Sequence, residues 1–118
     1  MFRLLQGDVG SGKTIVSLLS AFNTINSGFQ VAVMAPTEIL ARQHFLLAKK
    51  IFPKNIGIDL LSGKSTYKDK RNILNKILKK QIDIIFGTHA LFQKKVEFNR
   101  LGLIIIDEQH KFGVNQRK

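Results

Sequence analysis

The sequence predicts an α/β fold, a mostly parallel sheet with helices on both faces, and three observations carry that prediction. Short apolar runs alternate with longer segments of helical periodicity. Two of those runs, 31–35 and 101–106, are almost continuously apolar, as strands covered on both faces are. Gly7-Asp8-Val9-Gly10-Ser11-Gly12-Lys13-Thr14 fits G-x-x-x-x-G-K-[ST] and sits between a strand-like run and a helical one.

Each element has its own signal. Residues 3–6 read as a strand and 13–26 as a helix. The helix carries Ile15, Val16, Leu18, Leu19, Ala21, Phe22 and Ile25, a stripe broad enough to predict burial on more than one side. Ser27-Gly28 ends it, and 31–35 is the next strand. Pro36-Thr37 opens a second helix reaching about Phe52, with Thr37 as its N-cap and Pro53 as its stop. Ile56, Ile58 and Leu60 alternate with Gly57 and Asp59, which predicts a half-exposed strand toward the sheet edge. A third helix, 67–80, groups Ile73, Leu74, Ile77 and Leu78 on one face. Lys68, Lys70, Arg71, Lys76 and Lys79 crowd the remainder, a solvated basic surface rather than a nucleic-acid track. Residues 83–87 and 101–106 are the last two strands. No repeat, low-complexity stretch or linker divides the chain, so one domain is expected.

Composition narrows the function classes. Nineteen basic residues against eight acidic give a net charge of +11, which favours a polyanionic partner, nucleic acid before membrane. The absence of cysteine excludes disulfides and thiolate zinc sites. The phosphate-loop pattern begins at Gly7 and leaves no room for a signal peptide. The longest apolar run falls far short of the ~20 residues that a membrane span needs. A cytoplasmic protein is the expectation.

In the phosphate loop, glycines allow successive N–H groups to converge on an anion, and the following helix adds the positive end of its dipole. The residues Gly7, Asp8, Val9, Gly10, Ser11, Gly12, Lys13 and Thr14 are the candidate nucleotide-binding set. Lys13 would reach the β- and γ-phosphates, and the Thr14 hydroxyl would enter a Mg²⁺ shell. Downstream, Leu103-Ile104-Ile105-Ile106-Asp107-Glu108 delivers an acidic pair at the carboxyl end of a strand, where open α/β sheets bind ligands. Many strands end in solvated acids, but a preceding phosphate loop makes the pair specific. Asp107 would hold Mg²⁺, and Glu108 would orient and deprotonate the water that attacks the γ-phosphate. Lys13, Asp107 and Glu108 are therefore the candidate catalytic residues, with ATP and Mg²⁺ as cofactors.

Asp107-Glu108-Gln109-His110, together with the phosphate loop, resembles the DExH box of superfamily 2 helicases and translocases. Three further segments fall in that superfamily's order: 35–43 looks like motif Ia, 61–64 occupies the place of the T-G motif, and 87–91 looks like the G-T-x motif. Residues 3–14, 34–44, 87–93 and 101–117 are similar to the RecG family of branched-DNA helicases. Lys111 stands where that family usually has Arg, a change that weakens any bidentate contact there. Mfd-like translocases, which act on RNA polymerase, share Gly-Asp-Val-Gly and the His-x-Phe-Gly-Val tail. They typically carry Glu at the place of Gln109 and lack the Glu38-Ile39 pairing.

The resemblance implies a RecA-like P-loop domain, part of a first motor domain and incomplete at its C-terminus. It implies ATP-driven work on branched or duplex DNA, without sequence preference, in fork rescue, recombination and repair. A monomer is expected, with a DNA-binding wedge domain and a second motor domain belonging to the parent protein. Pro36, Thr37, Ser62, Gly63, Thr88 and His89 would line the nucleic-acid face, where hydroxyls and backbone N–H groups meet phosphates without reading bases. Thr37 serves equally as a simple helix cap, and His89 as a strand-end histidine. Gln109 and His110 would couple nucleotide state to the second motor domain, and His44 is taken as structural. In the superfamily the motif III strand lies between the phosphate-loop strand and the Asp-Glu strand, so a vacancy in the middle of the sheet is expected here. The other readings are an Mfd-like translocase and a nucleotide-binding module without turnover. An unrelated phosphate-loop kinase is disfavoured by the helicase order of the remaining segments.

Overall fold

Alternation of side chains along each strand sorts this sequence into two cores, one on each face of a single sheet. The computed structural model describes residues 3–7, 11–64, 66–89 and 96–107, with the backbone path alone for 3–7 and 11–17. In chain order the elements are β1 (Arg3–Gly7), α1 (Ser11–Asn26), β2 (Gln30–Ala35), α2 (Glu38–Ile51), β3 (Ile58–Leu61), α3 (Tyr67–Leu78), β4 (Ile84–Thr88) and β5 (Leu101–Asp107). The five strands lie in the order β1-β5-β2-β4-β3, and every pairing is parallel.

Val31 and Val33 of β2, Ile84 and Phe86 of β4, and Leu103 and Ile105 of β5 point to one face, where α1 and α2 cover them with Leu18, Ala21 and Ala48. Ala32, Ile85 and Ile104 point to the other, where α3 supplies Ile73, Leu74 and Ile77 and the lead into β5 adds Val96 and Phe98. Both expected helical layers are present, and the half-exposed strand β3 lies at the sheet edge.

Two expectations about packing are corrected. Leu19 of α1 is 55% exposed, so the described part of this helix buries one side, through Leu18 and Ala21, and not several. The sheet lies on one side of α1, and no described element covers the other. Leu78 is likewise 45% exposed, on the last position of α3 and one step around the helix from the buried Ile77.

The expected central vacancy is also corrected. β1 pairs directly with β5 over its whole length, from Arg3 opposite Leu103 to Gly7 opposite Asp107. Backbone N–H and C=O groups along two neighbouring strand edges demand partners, and a gap one strand wide would leave both edges unpaired. Closing β1 onto β5 satisfies them.

The helix ends follow local chemistry. Thr37 caps α2 by accepting a hydrogen bond from the Leu40 N–H at 3.2 Å, and Thr66 caps α3 by accepting from the Asp69 N–H at 3.1 Å. At the far end of α3, Gln81 N–H donates to Lys76 O (2.8 Å) and Lys80 N–H donates to Ile77 O (3.1 Å). This is the Schellman arrangement, with Lys80 in the left-handed position at φ 61°. A residue with a Cβ is strained there by about 1–2 kcal/mol relative to glycine. Lys80→Gly is therefore expected to raise stability by about 1 kcal/mol, measured by urea denaturation at unchanged m.

The first residue of β2 joins the layers. Gln30 is buried and its amide is fully bonded: Nε2 donates to Ile77 O and Ile82 O, both at 2.8 Å, and Oε1 accepts from Asn99 N–H (2.8 Å) and Arg100 N–H (2.9 Å). One side chain thus pins the end of α3, the lead into β4 and the lead into β5.

Candidate functional site

All strands run the same way, so the residue after each strand lies on one rim of the sheet. Along that rim the order is Gly7, Asp107, then Pro36-Thr37, then Thr88-His89, then Ser62-Gly63. Chain order scatters these positions, and the strand order regroups them. The nucleotide candidates fall at the β1–β5 end and the nucleic-acid candidates across β2, β4 and β3.

Gly7 and Asp107 are register partners on adjacent strands, where backbones lie about 4.8 Å apart. The phosphate-loop pattern therefore starts beside the acidic residue at the end of β5. Ser11 begins α1, which puts Gly12, Lys13 and Thr14 in its first turn, where N–H groups have no helical partners and the dipole is positive. Asp8, Val9, Gly10, Glu108, Gln109, His110 and Lys111 lie outside the described residues.

Asp107 is 1% exposed, and its Oδ2 lies 2.9 Å from His44 Nε2. An ionised carboxylate only accepts, so the imidazole Nε2–H is the donor. Burial of a carboxylate is costly unless hydrogen bonds compensate, and this contact is part of that compensation. His44 comes from α2, on a buried stripe with Ala41 and Ala48. The reading of His44 as structural missed this contact with the acidic residue of the site. Its signal was present: one polar residue among small ones at helical spacing on a sheet-facing stripe.

A Mg²⁺ ion takes oxygen ligands and commonly sits between one or two carboxylates and the substrate's phosphates. A buried carboxylate beside a phosphate-loop strand fits that ion. No group of three or more His, Cys, Asp or Glu that could hold a metal occurs among the described residues.

At the other end of the rim, Pro36 and Thr37 are exposed, Thr88 is half-buried and His89 is exposed. Ala35 and Thr88 are register partners, so the β2 and β4 ends lie side by side. Ser62 is buried, and its hydroxyl donates to Glu38 Oε1 at 3.2 Å. Gly63 N–H donates to Glu38 Oε2, and Lys64 N–H donates to Ser62 Oγ at 3.1 Å. Glu38, the first residue of α2, thus holds the turn after β3 against the turn after β2. Sequence reading had passed over that role.

No helix among the described residues is long and apolar enough to cross a membrane. Residues 3–118 match the DEAD/DEAH box helicase family. Over its whole length the chain is 56% identical to the ATP-dependent DNA helicase RecG of Streptococcus pneumoniae and 51% identical to that of Aquifex aeolicus. It spans 17% and 15% of those two proteins. A solved structure described as RecG bound to a three-way DNA junction superposes with a TM-score of 0.79 at 48% identity, covering 97% of this chain and 16% of that one. The phosphate-loop strand beside a buried aspartate, the all-parallel rim and these matches lead to one assignment: the chain belongs to the DEAD/DEAH box helicase family, and its whole length matches the RecG branch of it.

Proposed function

We propose that this chain is the ATP-binding portion of the first motor domain of a RecG-type, ATP-dependent DNA helicase that remodels branched DNA. In this reading the remaining parts, a wedge domain and a second motor domain, are supplied in the parent protein, and the portion alone turns ATP over poorly. The observation that supports it most is the register of Gly7 with Asp107, since hydrolysis requires the phosphate cradle and the metal-bearing acid on the same rim.

The chemistry then follows from the residues. Backbone N–H groups of 7–14 would hold the β- and γ-phosphates and Lys13 would offset their charge; Thr14 and Asp107 would hold Mg²⁺, which would supply neutralisation of charge developing on the phosphate oxygens. Glu108 takes a proton from the attacking water. Pro36, Thr37, Ser62, Gly63, Thr88 and His89 face the DNA backbone, and Gln109 and His110 communicate with the second motor domain. Identity of 56% and 51% to two RecG sequences across the whole chain supports the branched-DNA reading over an Mfd-like one.

The test is ATP hydrolysis by the parent protein with and without a synthetic three-way junction. Stimulation by the junction beyond that by linear duplex is the expected result, and none by either DNA would end the proposal. Glu108→Gln should keep ATP binding while nearly stopping hydrolysis. Equal loss of binding would instead make Glu108 a structural residue.

A further inference from the structure

Helix α2 touches both halves of the rim. At its start, Thr37 and Glu38 belong to the turns after β2 and β3, Glu38 through Ser62 and Gly63. Six positions further on, His44 donates to Asp107. That separation along a helix is about 9 Å. Between and beyond these points the helix is seated by buried Ala41 and Ala48, and by Phe45 edge-on against Phe86 with ring centroids 6.2 Å apart. Seated in this way, the helix is a packed element that links the two points. A shift of its first turn can thereby reach the imidazole bonded to Asp107.

We infer that His44 is a positioning residue for the Asp107 carboxylate and that, through α2, it carries engagement of DNA at the Thr37–Glu38 end to the magnesium site. The inference rests on the reading of Asp107 as the metal-bearing acid and of the β2 and β3 turns as the DNA face. The bond from His44 holds one carboxylate oxygen and so fixes the plane of the group. Residues that orient metal-bearing carboxylates in this way typically contribute about 10–100-fold to metal affinity. Glu38 adds the second attachment, because a DNA phosphate approaching the Ser62–Gly63 turn competes with its carboxylate for the same two donors.

The experiment compares wild type, His44→Leu and His44→Gln in the parent protein, reading Mn²⁺ binding by electron paramagnetic resonance with a non-hydrolysable ATP analogue. Metal-free nucleotide binding and the factor by which junction DNA stimulates hydrolysis are read alongside. His44→Leu should weaken Mn²⁺ binding by about tenfold and flatten the stimulation while metal-free nucleotide binding stays unchanged. His44→Gln, whose amide can still donate, should recover most of both. A folded His44→Leu protein that matches wild type in Mn²⁺ binding and stimulation overturns the inference, as does a glutamine variant no better than leucine. Should the leucine variant not fold, histidine-selective ¹⁵N labelling of wild type decides. The His44 Nε2 resonance should move on addition of the Mg²⁺–analogue complex and again with DNA, and a resonance indifferent to both refutes the coupling. Wild-type stimulation by DNA and loss of nucleotide binding in Lys13→Ala report on the underlying reading. If these hold while His44 proves inert, the coupling alone falls; if these fail, both do.

Discussion

Lys13→Ala in the parent protein is expected to lower the rate of ATP hydrolysis by about 10²–10³-fold, the cost typical of removing one preorganised partner of charge that develops in the transition state. The expectation comes from position. The first turn of α1 begins at Ser11, inside the phosphate-loop motif, and β1 brings the start of that motif alongside Asp107. On the proposed reading a terminal phosphate held there would meet two full positive charges, Lys13 and the metal ion, besides the helix N-terminus. Steady-state hydrolysis with saturating junction DNA checks the effect, and a variant within about threefold of wild type would be incompatible with a phosphate-binding role for Lys13.

The largest expected effect on stability is at Gly57. A Cβ there would lie 3.1 Å from Ile82 Cα and 3.2 Å from the Gln81 carbonyl carbon, and nearer still to the Gln81 carbonyl oxygen. All three are backbone atoms. Neither side can retreat easily, because Gly57 O accepts from Asp83 N–H (2.8 Å) and Ile84 N–H (3.1 Å), and Gly57 N–H donates to Asp83 Oδ2 (2.9 Å). Replacing glycine by alanine stiffens the unfolded chain and gains about 0.4–1 kcal/mol, but overpacking against fixed backbone costs about 3 kcal/mol and decides the sign. Gly57→Ala should therefore lower the melting temperature by about 10 °C, read by circular dichroism. Gly63→Ala is the milder comparison: its Cβ would meet only the end of the Glu38 side chain, which can swing away at the cost of its bonds to Ser62 and Gly63.

How much of this was legible in the chain depends on the range of the forces involved. β2 and β5 were legible because burial on both faces leaves an apolar run no polar position. Thr37 was legible because a hydroxyl just before a helical period has a donor to satisfy close by. The end of α3 was overshot because a lysine occupies the left-handed position where glycine would have announced the stop. Gln30 was missed altogether, since a glutamine before an apolar run looks like loop and its partners lie 47 to 70 residues away.

The site was legible in its parts and less so in its arrangement. The phosphate loop and the acidic strand end could be named from residue types. That β1 would lie directly beside β5 could not, because strand order depends on which edges find partners, and the resemblance pointed to an intervening strand. His44 escaped for a related reason. Its periodicity marked it as inward-facing, but only the placement of α2 over β2, β4 and β3 shows that inward at this position means toward Asp107.

The amide of Gln30 has a further consequence for how the chain matures. Its four hydrogen-bonding partners come from residues 77, 82, 99 and 100, so the group stays incompletely matched until nearly the last strand exists. The two faces of the sheet are therefore expected to close together in one cooperative transition. Hydrogen exchange is expected to show β2, the end of α3 and the lead into β5 opening as one unit, with the rim at Asp107 attached to it.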